Sequence, residues 1–143
     1  MTHKSLKMAA RHFGVRALAL SMLFVAGCAF LPPSTPEGAV EARASEYWKA
    51  RIASDYQKAW ELSTPAYRSL KTKEQFRMQF GAGATIEAAA VHKVTCDSGE
   101  KCTARMKLSA KPALMGMNVG TIETYVDETW LLEDGKWWRH QDL

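Results

Sequence analysis

Between Val40 and Trp60, apolar side chains recur three or four positions apart: Val40, Ala44, Tyr47 with Trp48, Ile52, Tyr56, and Ala59 with Trp60. That is the period of a helix with one buried face, and it predicts a single long helix from Pro36 to about Leu62. Ser34-Thr35-Pro36-Glu37 reads as its capping box, with proline in the first turn. Ser63-Thr64-Pro65 stops this helix and opens a short second one to about Leu70, capped by Thr64. Thr72-Lys73-Glu74-Gln75 is another capping box, opening a third helix through Phe76 to Phe80 that ends at Gly81-Ala82-Gly83. From Cys102 to Lys111 the period drops to two, which is a strand with one wet face. Ile86 to Cys96 reads as a weaker strand and Thr121 to Glu133 as a long one. Asp134-Gly135 then predicts a type I′ turn into Lys136–Gln141. A two-residue turn sets Leu132 opposite Trp137, Leu131 opposite Trp138 and Trp130 opposite Arg139. Helices followed by strands mean α+β: a long N-terminal helix and two short ones on an antiparallel sheet of about four strands.

The first 27 residues follow neither period. A basic stretch from Met1 to Arg16 precedes the apolar run Ala17 to Phe24, which is too short for a membrane span and reads as an export signal. It ends in Val25-Ala26-Gly27-Cys28, which resembles a bacterial lipobox. That resemblance implies diacylglycerol and palmitate on Cys28 and cleavage before it; a plain secretory signal and a transmembrane anchor are the alternatives. Residue 29 is alanine where aspartate would imply inner-membrane retention, so the resemblance implies an outer-membrane lipoprotein facing the periplasm. The organisation is then residues 1–27 as signal, 28–35 as a tether stiffened by Pro32-Pro33, and 36–143 as one domain.

Charge follows the same division. The formal net charge of +4 resides in the leader: the 116 residues from Cys28 onward hold 15 basic and 15 acidic side chains. A balanced body has no cation excess for nucleic-acid phosphates, so no nucleic-acid partner is expected. The partners expected are the membrane, through acyl chains on Cys28, and an envelope protein or small apolar ligand.

Setting Cys28 aside leaves Cys96 and Cys102. In an exported chain an even remainder suggests a disulfide, and Asp97-Ser98-Gly99-Glu100-Lys101 between them is rich in turn formers. Free thiols and a metal site with His92 are the alternatives. A structural zinc site needs four ligands, and no metal or other cofactor is expected.

The Trp48–Leu70 block (WKARIASDYQKAWELSTPAYRSL), the Phe76 helix and the terminal ETWLLEDGKWWRH hairpin resemble the nuclear transport factor two-like (cystatin-like, ketosteroid isomerase-like) superfamily. The resemblance spans roughly residues 36–142. It implies a curved sheet wrapped around the long helix and a cone-shaped pocket. It is almost silent on function, because members include isomerases, dehydratases and non-catalytic binding modules.

Candidate chemistry is sparse. Asp55 could act as a base on the long helix, with Tyr47 or His92 as a partner. Tyr47 is eight residues earlier, a net rotation of about 80° on a helix, and so is a poor helix-borne partner. The expectation is therefore a structural hydrogen bond or ion pair for Asp55. Asp127 reads as an outer-face residue, and His92 and His140 as solvated or hydrogen-bonded strand histidines. No nucleophile lies at recognisable spacing from a base, and no phosphate loop or dinucleotide fingerprint occurs. Trp137 and Trp138 must point to opposite faces, so one ring enters the core. The other, beside Arg139, is a candidate binding surface, as are Met115 and Met117 in an apolar connection. The expected function is a lipid-anchored, non-catalytic binding domain. An isomerase- or dehydratase-like enzyme and a structural envelope subunit are the alternatives.

Overall fold

A computed structural model describes residues 35–80, 84–113 and 120–142. Thr35 is extended and its side chain accepts from Gly38 N at 3.1 Å, so it caps the first helix, α1 (Pro36–Ile52). The cap is one residue later than the box predicted at Ser34, which lies outside the described residues. Among the described residues four helices form, not three, because of a break that the apolar spacing hides. Ser54 takes a left-handed φ of 60°. Its N–H donates to Arg51 O at 3.1 Å, and Asp55 N donates to Ala50 O at 2.8 Å. These two bonds close a Schellman motif with serine where glycine is usual. Asp55 then caps the next helix, α2 (Tyr56–Glu61), by accepting from Lys58 N at 3.0 Å. The single helix expected from Pro36 to Leu62 is thus two.

Helix α3 (Pro65–Leu70) is capped by Thr64 as expected. Helix α4 (Lys73–Met78) opens on a complete Thr72–Gln75 capping box. Among the described residues, no helix is long and apolar enough to cross a membrane.

The strands β1 (Ala84–Ser98), β2 (Lys101–Pro112), β3 (Ile122–Glu133) and β4 (Lys136–Arg139) form one antiparallel sheet in sequence order. Asp134 and Gly135 both have positive φ, 52° and 72°, which a type I′ turn requires. The β3–β4 register is the predicted one: Trp130 with Arg139, Leu131 with Trp138, Leu132 with Trp137. Strand β4 ends at Arg139, two residues short of the expected Gln141. Beyond it the chain segment Leu62–Thr64 adds a bridge: Arg139 N donates to Leu62 O at 2.8 Å and Thr64 N to Arg139 O at 3.1 Å.

Strand β1 breaks its pairing with β2 three times, at Glu87, His92 and Asp97. Each extra residue shifts the parity, so the core-facing positions are Ile86, Ala89, Val91, Val94 and Cys96 instead of every second residue. This is why β1 reads as a weak strand.

Helix α1 packs mainly on β1 and also reaches β2 and β4. Val40, Ala44, Tyr47 and Trp48 meet the inner sheet residues Cys102, Ala104, Met106, Leu108, Trp130 and Trp137, while Tyr67 and Phe76 join from α3 and α4. Truncating a fully buried ring such as Trp130 or Phe76 to alanine is expected to cost about 3–5 kcal/mol. The outer sheet face is polar, with Arg105–Asp127 and Lys107–Glu123 pairs at 3.5 and 2.7 Å. Such exposed pairs add little to stability.

Candidate functional site

Residues three and four apart share a helix face, so Arg51 joins Tyr47 and Trp48 on the sheet-facing side of α1. Strand parity puts Glu128 beside Trp130 on the inner face of β3, and the hairpin register brings Arg139 opposite Trp130. The Glu128 side chain is 1% exposed and that of Arg139 is 20% exposed. Arg139 Nε donates to Glu128 Oε1 at 2.9 Å, and Trp48 Nε1 donates to the same oxygen at 3.1 Å. The Arg139 guanidinium also lies 4.5 Å from the Tyr47 ring centroid.

Burial pushes the Glu128 carboxyl above its ordinary value; Arg139 and the Trp48 hydrogen bond oppose that shift without cancelling it. Burial raises the Tyr47 hydroxyl too, against the pull of Arg139 and Arg51. For Arg139, burial works against the charge, but Tyr47 and Glu128 outweigh it and the guanidinium is held above its usual range. Among the described residues, Glu128 Oε2 and Trp130 Nε1 are buried without a well-formed hydrogen bond, although the indole helps draw the carboxyl down.

Arg51 is a second cation in this region. Its Nε and Nη1 are buried and meet no acceptor among the described residues. Its guanidinium carbon lies 3.1 Å from the Phe80 ring centroid and 5.4 Å from that of Tyr56. Burial lowers its pKa; Tyr47 and Tyr56 oppose this and Arg139 adds to it. Two clefts share Phe80 as a wall. One, of about 330 Å³, is lined by Arg51, Ile52, Ser54, Tyr56, Phe80 and residues 84–86. The other, of about 500 Å³, is lined by Gln79, Phe80, residues 127–129 and residues 139–142.

The residues singled out in the sequence are dispersed. Asp55 is an exposed helix cap, not a residue on the inner face of a long helix. Tyr47 is buried, 1% exposed. His92 is an exposed bulge residue on β1, its ring 5.1 Å from that of Tyr125. These three do not converge. Asp127 faces outward and pairs with Arg105, and His140 N donates to Thr129 O at 2.8 Å. Trp137 is in the core. Trp138 is half-buried between α1 and α3, its ring centroid 5.2 Å from the Arg43 guanidinium and 4.9 Å from that of Arg68. It therefore does not form an exposed platform with Arg139, which points to the opposite face and pairs with Glu128. Cys96 and Cys102 are disulfide-bonded, with Cα atoms 3.9 Å apart across the β1–β2 hairpin. Val25, Ala26, Gly27, Cys28, Met115 and Met117 lie outside the described residues. Among those described, no three His, Cys, Asp or Glu side chains converge as a metal centre requires.

Glu128, Arg51 and Phe80 are the site residues that sequence reasoning passed over. Parity with Trp130 and Leu132 marks Glu128 as inward, and spacing from Tyr47 and Trp48 marks Arg51.

The fold and site define an α+β domain with a polar cluster at the edge of its core. No family model matches the chain, and no curated protein matches it. Among solved structures, it is similar to a SEC-C motif containing protein from Rhodopseudomonas palustris, at 14% identity and a TM-score of 0.54, over 75% of this chain and 76% of that one. At that identity the likeness concerns the fold alone. A computationally designed 17-OHP binder (14% identity, TM-score 0.45, 75% and 95% covered) and the intermembrane space region of chloroplast protein ARC6 (12%, 0.44, 76% and 95%) are fainter likenesses that add nothing to the assignment.

Proposed function

We propose that the chain is an exported lipoprotein whose domain binds a ligand or partner in the cell envelope and is not catalytic. The observation that carries the non-catalytic reading is the condition of Glu128. This one buried carboxylate among the described residues has Oε1 filled by two donors and Oε2 shut from water. A general base needs a lone pair open to substrate. Asp55 and His92 are exposed and apart, so they do not replace it. The cone-like reading, with its likeness to the nuclear transport factor two-like superfamily, is supported by the helices on one sheet face and by bulges that bend β1. The clefts beside Phe80 offer the concave surface that binding needs.

Anchorage rests on Val25-Ala26-Gly27-Cys28, and Ala29 favours the outer membrane. Two acyl signals or more give stable attachment where one is marginal. Cells expressing the full chain should incorporate labelled palmitate into it and carry it in the outer-membrane fraction. Cys28→Ser should abolish the label and leave the longer precursor; equal labelling of both refutes the anchor. Native mass spectrometry of gently extracted protein should show a bound molecule or partner of constant mass. Bare protein throughout would refute the binding reading.

A further inference from the structure

We propose that the cleft at Arg51 binds the carboxylate of a small organic acid with an apolar body. This rests on the binding reading and names the ligand class. Removing a cation from water is unfavourable unless acceptors or an anion compensate it. Arg51 has Nε and Nη1 removed from water with no acceptor among the described residues, so Nη2 is the nitrogen left to face the cleft that Arg51 lines. The nearest buried carboxylate, Glu128, is engaged by Arg139 at 2.9 Å. Two guanidiniums and one carboxylate leave one positive charge in surplus, which a monoanion neutralises.

The shape of the cleft agrees with the charge. The rings of Phe80 and Tyr56 are within cation–π range of the guanidinium. With its face covered and Nε and Nη1 shut in, the guanidinium has Nη2 for a ligand, and a carboxylate oxygen accepts a charge-assisted hydrogen bond from it. Ile52, Ile86 and Phe80 provide apolar wall, with the hydroxyls of Ser54 and Thr85 beside them. The volume, about 330 Å³, is at the small end for ligand sites. A phosphate dianion would find a single surplus charge here, and a neutral apolar molecule would leave Arg51 uncompensated.

The test uses 4-fluorophenylacetate and its uncharged counterpart 4-fluorophenylacetamide, titrated by fluorine NMR against the full chain in non-ionic detergent, with empty micelles as blank. The acid should bind at least about tenfold tighter than the amide, as a charge-assisted pair predicts. Arg51→Gln should erase that preference while its melting temperature equals or exceeds the parent's, because an uncompensated buried charge has gone. Arg68→Gln should leave acid binding unchanged. If Arg51→Gln does not fold, Thr85→Trp provides the second arm: it should fill the cleft and exclude the acid. Equal affinity for acid and amide, an unaltered acid affinity in Arg51→Gln, or no acid binding at millimolar concentration each overturns the inference. Equal binding of both probes, lost together in Thr85→Trp, would leave the binding reading standing with a neutral ligand. Bare protein from membranes would instead strike the binding reading itself.

Discussion

Ionising Glu128 places a carboxylate among indole and phenol rings, and the hydrogen bonds from Trp48 and Arg139 are the main offset to the lost hydration. Removing Arg139 leaves that charge alone, so Arg139→Ala is expected to destabilise the domain by about 3–5 kcal/mol near neutral pH. The pH dependence has a definite sign. The folded-state pKa of Glu128 is raised above its ordinary 4.5, so the folded protein holds that proton more tightly than the unfolded chain. The stability this gives is fully present below pH 4.5 and is lost as pH rises through the folded-state pKa. Glu128→Gln should flatten that part of the stability–pH curve. Denaturant melts across this range decide it: the same slope in parent and Glu128→Gln would remove the claim.

The break between α1 and α2 depends on two adjacent residues with separate tasks. Ser54 supplies the left-handed turn and Asp55 caps α2. Asp55→Ala should cost about 1 kcal/mol, whereas Asp55→Asn, which keeps an accepting oxygen, should cost only a few tenths. Equal losses in urea melts would show that the charge matters and the cap does not. The break was hidden in the sequence because Ile52, Tyr56 and Ala59 keep helical spacing across it and serine occupies the usual glycine position. The β3–β4 register, by contrast, was legible to the residue, since Asp134-Gly135 admits one tight turn and that turn fixes the pairing, although not where β4 ends. The cysteine pairing was legible for a similar local reason. The Glu128 cluster was not, because it joins Trp48 to a residue 80 positions away and no local pattern encodes that distance. Parity could have marked Glu128 as inward, but not its partners.

For the molecule as a whole, the bulges in β1 have a consequence beyond bending the sheet. Strand β1 is the edge not covered by β4 or by the Leu62–Thr64 segment, and it is 15 residues long. A straight edge of that length is a template for a neighbouring chain. The bulges at Glu87, His92 and Asp97 divide its paired positions into short runs, 84–86, 88–91 and 93–96. On the proposed anchor, copies would diffuse in a plane with their edges repeatedly meeting, where an unbroken ladder would be most hazardous. Deleting His92 tests this cleanly. The core-facing order Val91, Val94, Cys96 then alternates without interruption, so the core should survive while the runs 88–91 and 93–96 fuse into one. The deletion variant should fold yet self-associate at concentrations where the parent does not, as read by sedimentation velocity. Matching profiles would mean that the interruptions shape the sheet only and do nothing to keep neighbouring molecules apart.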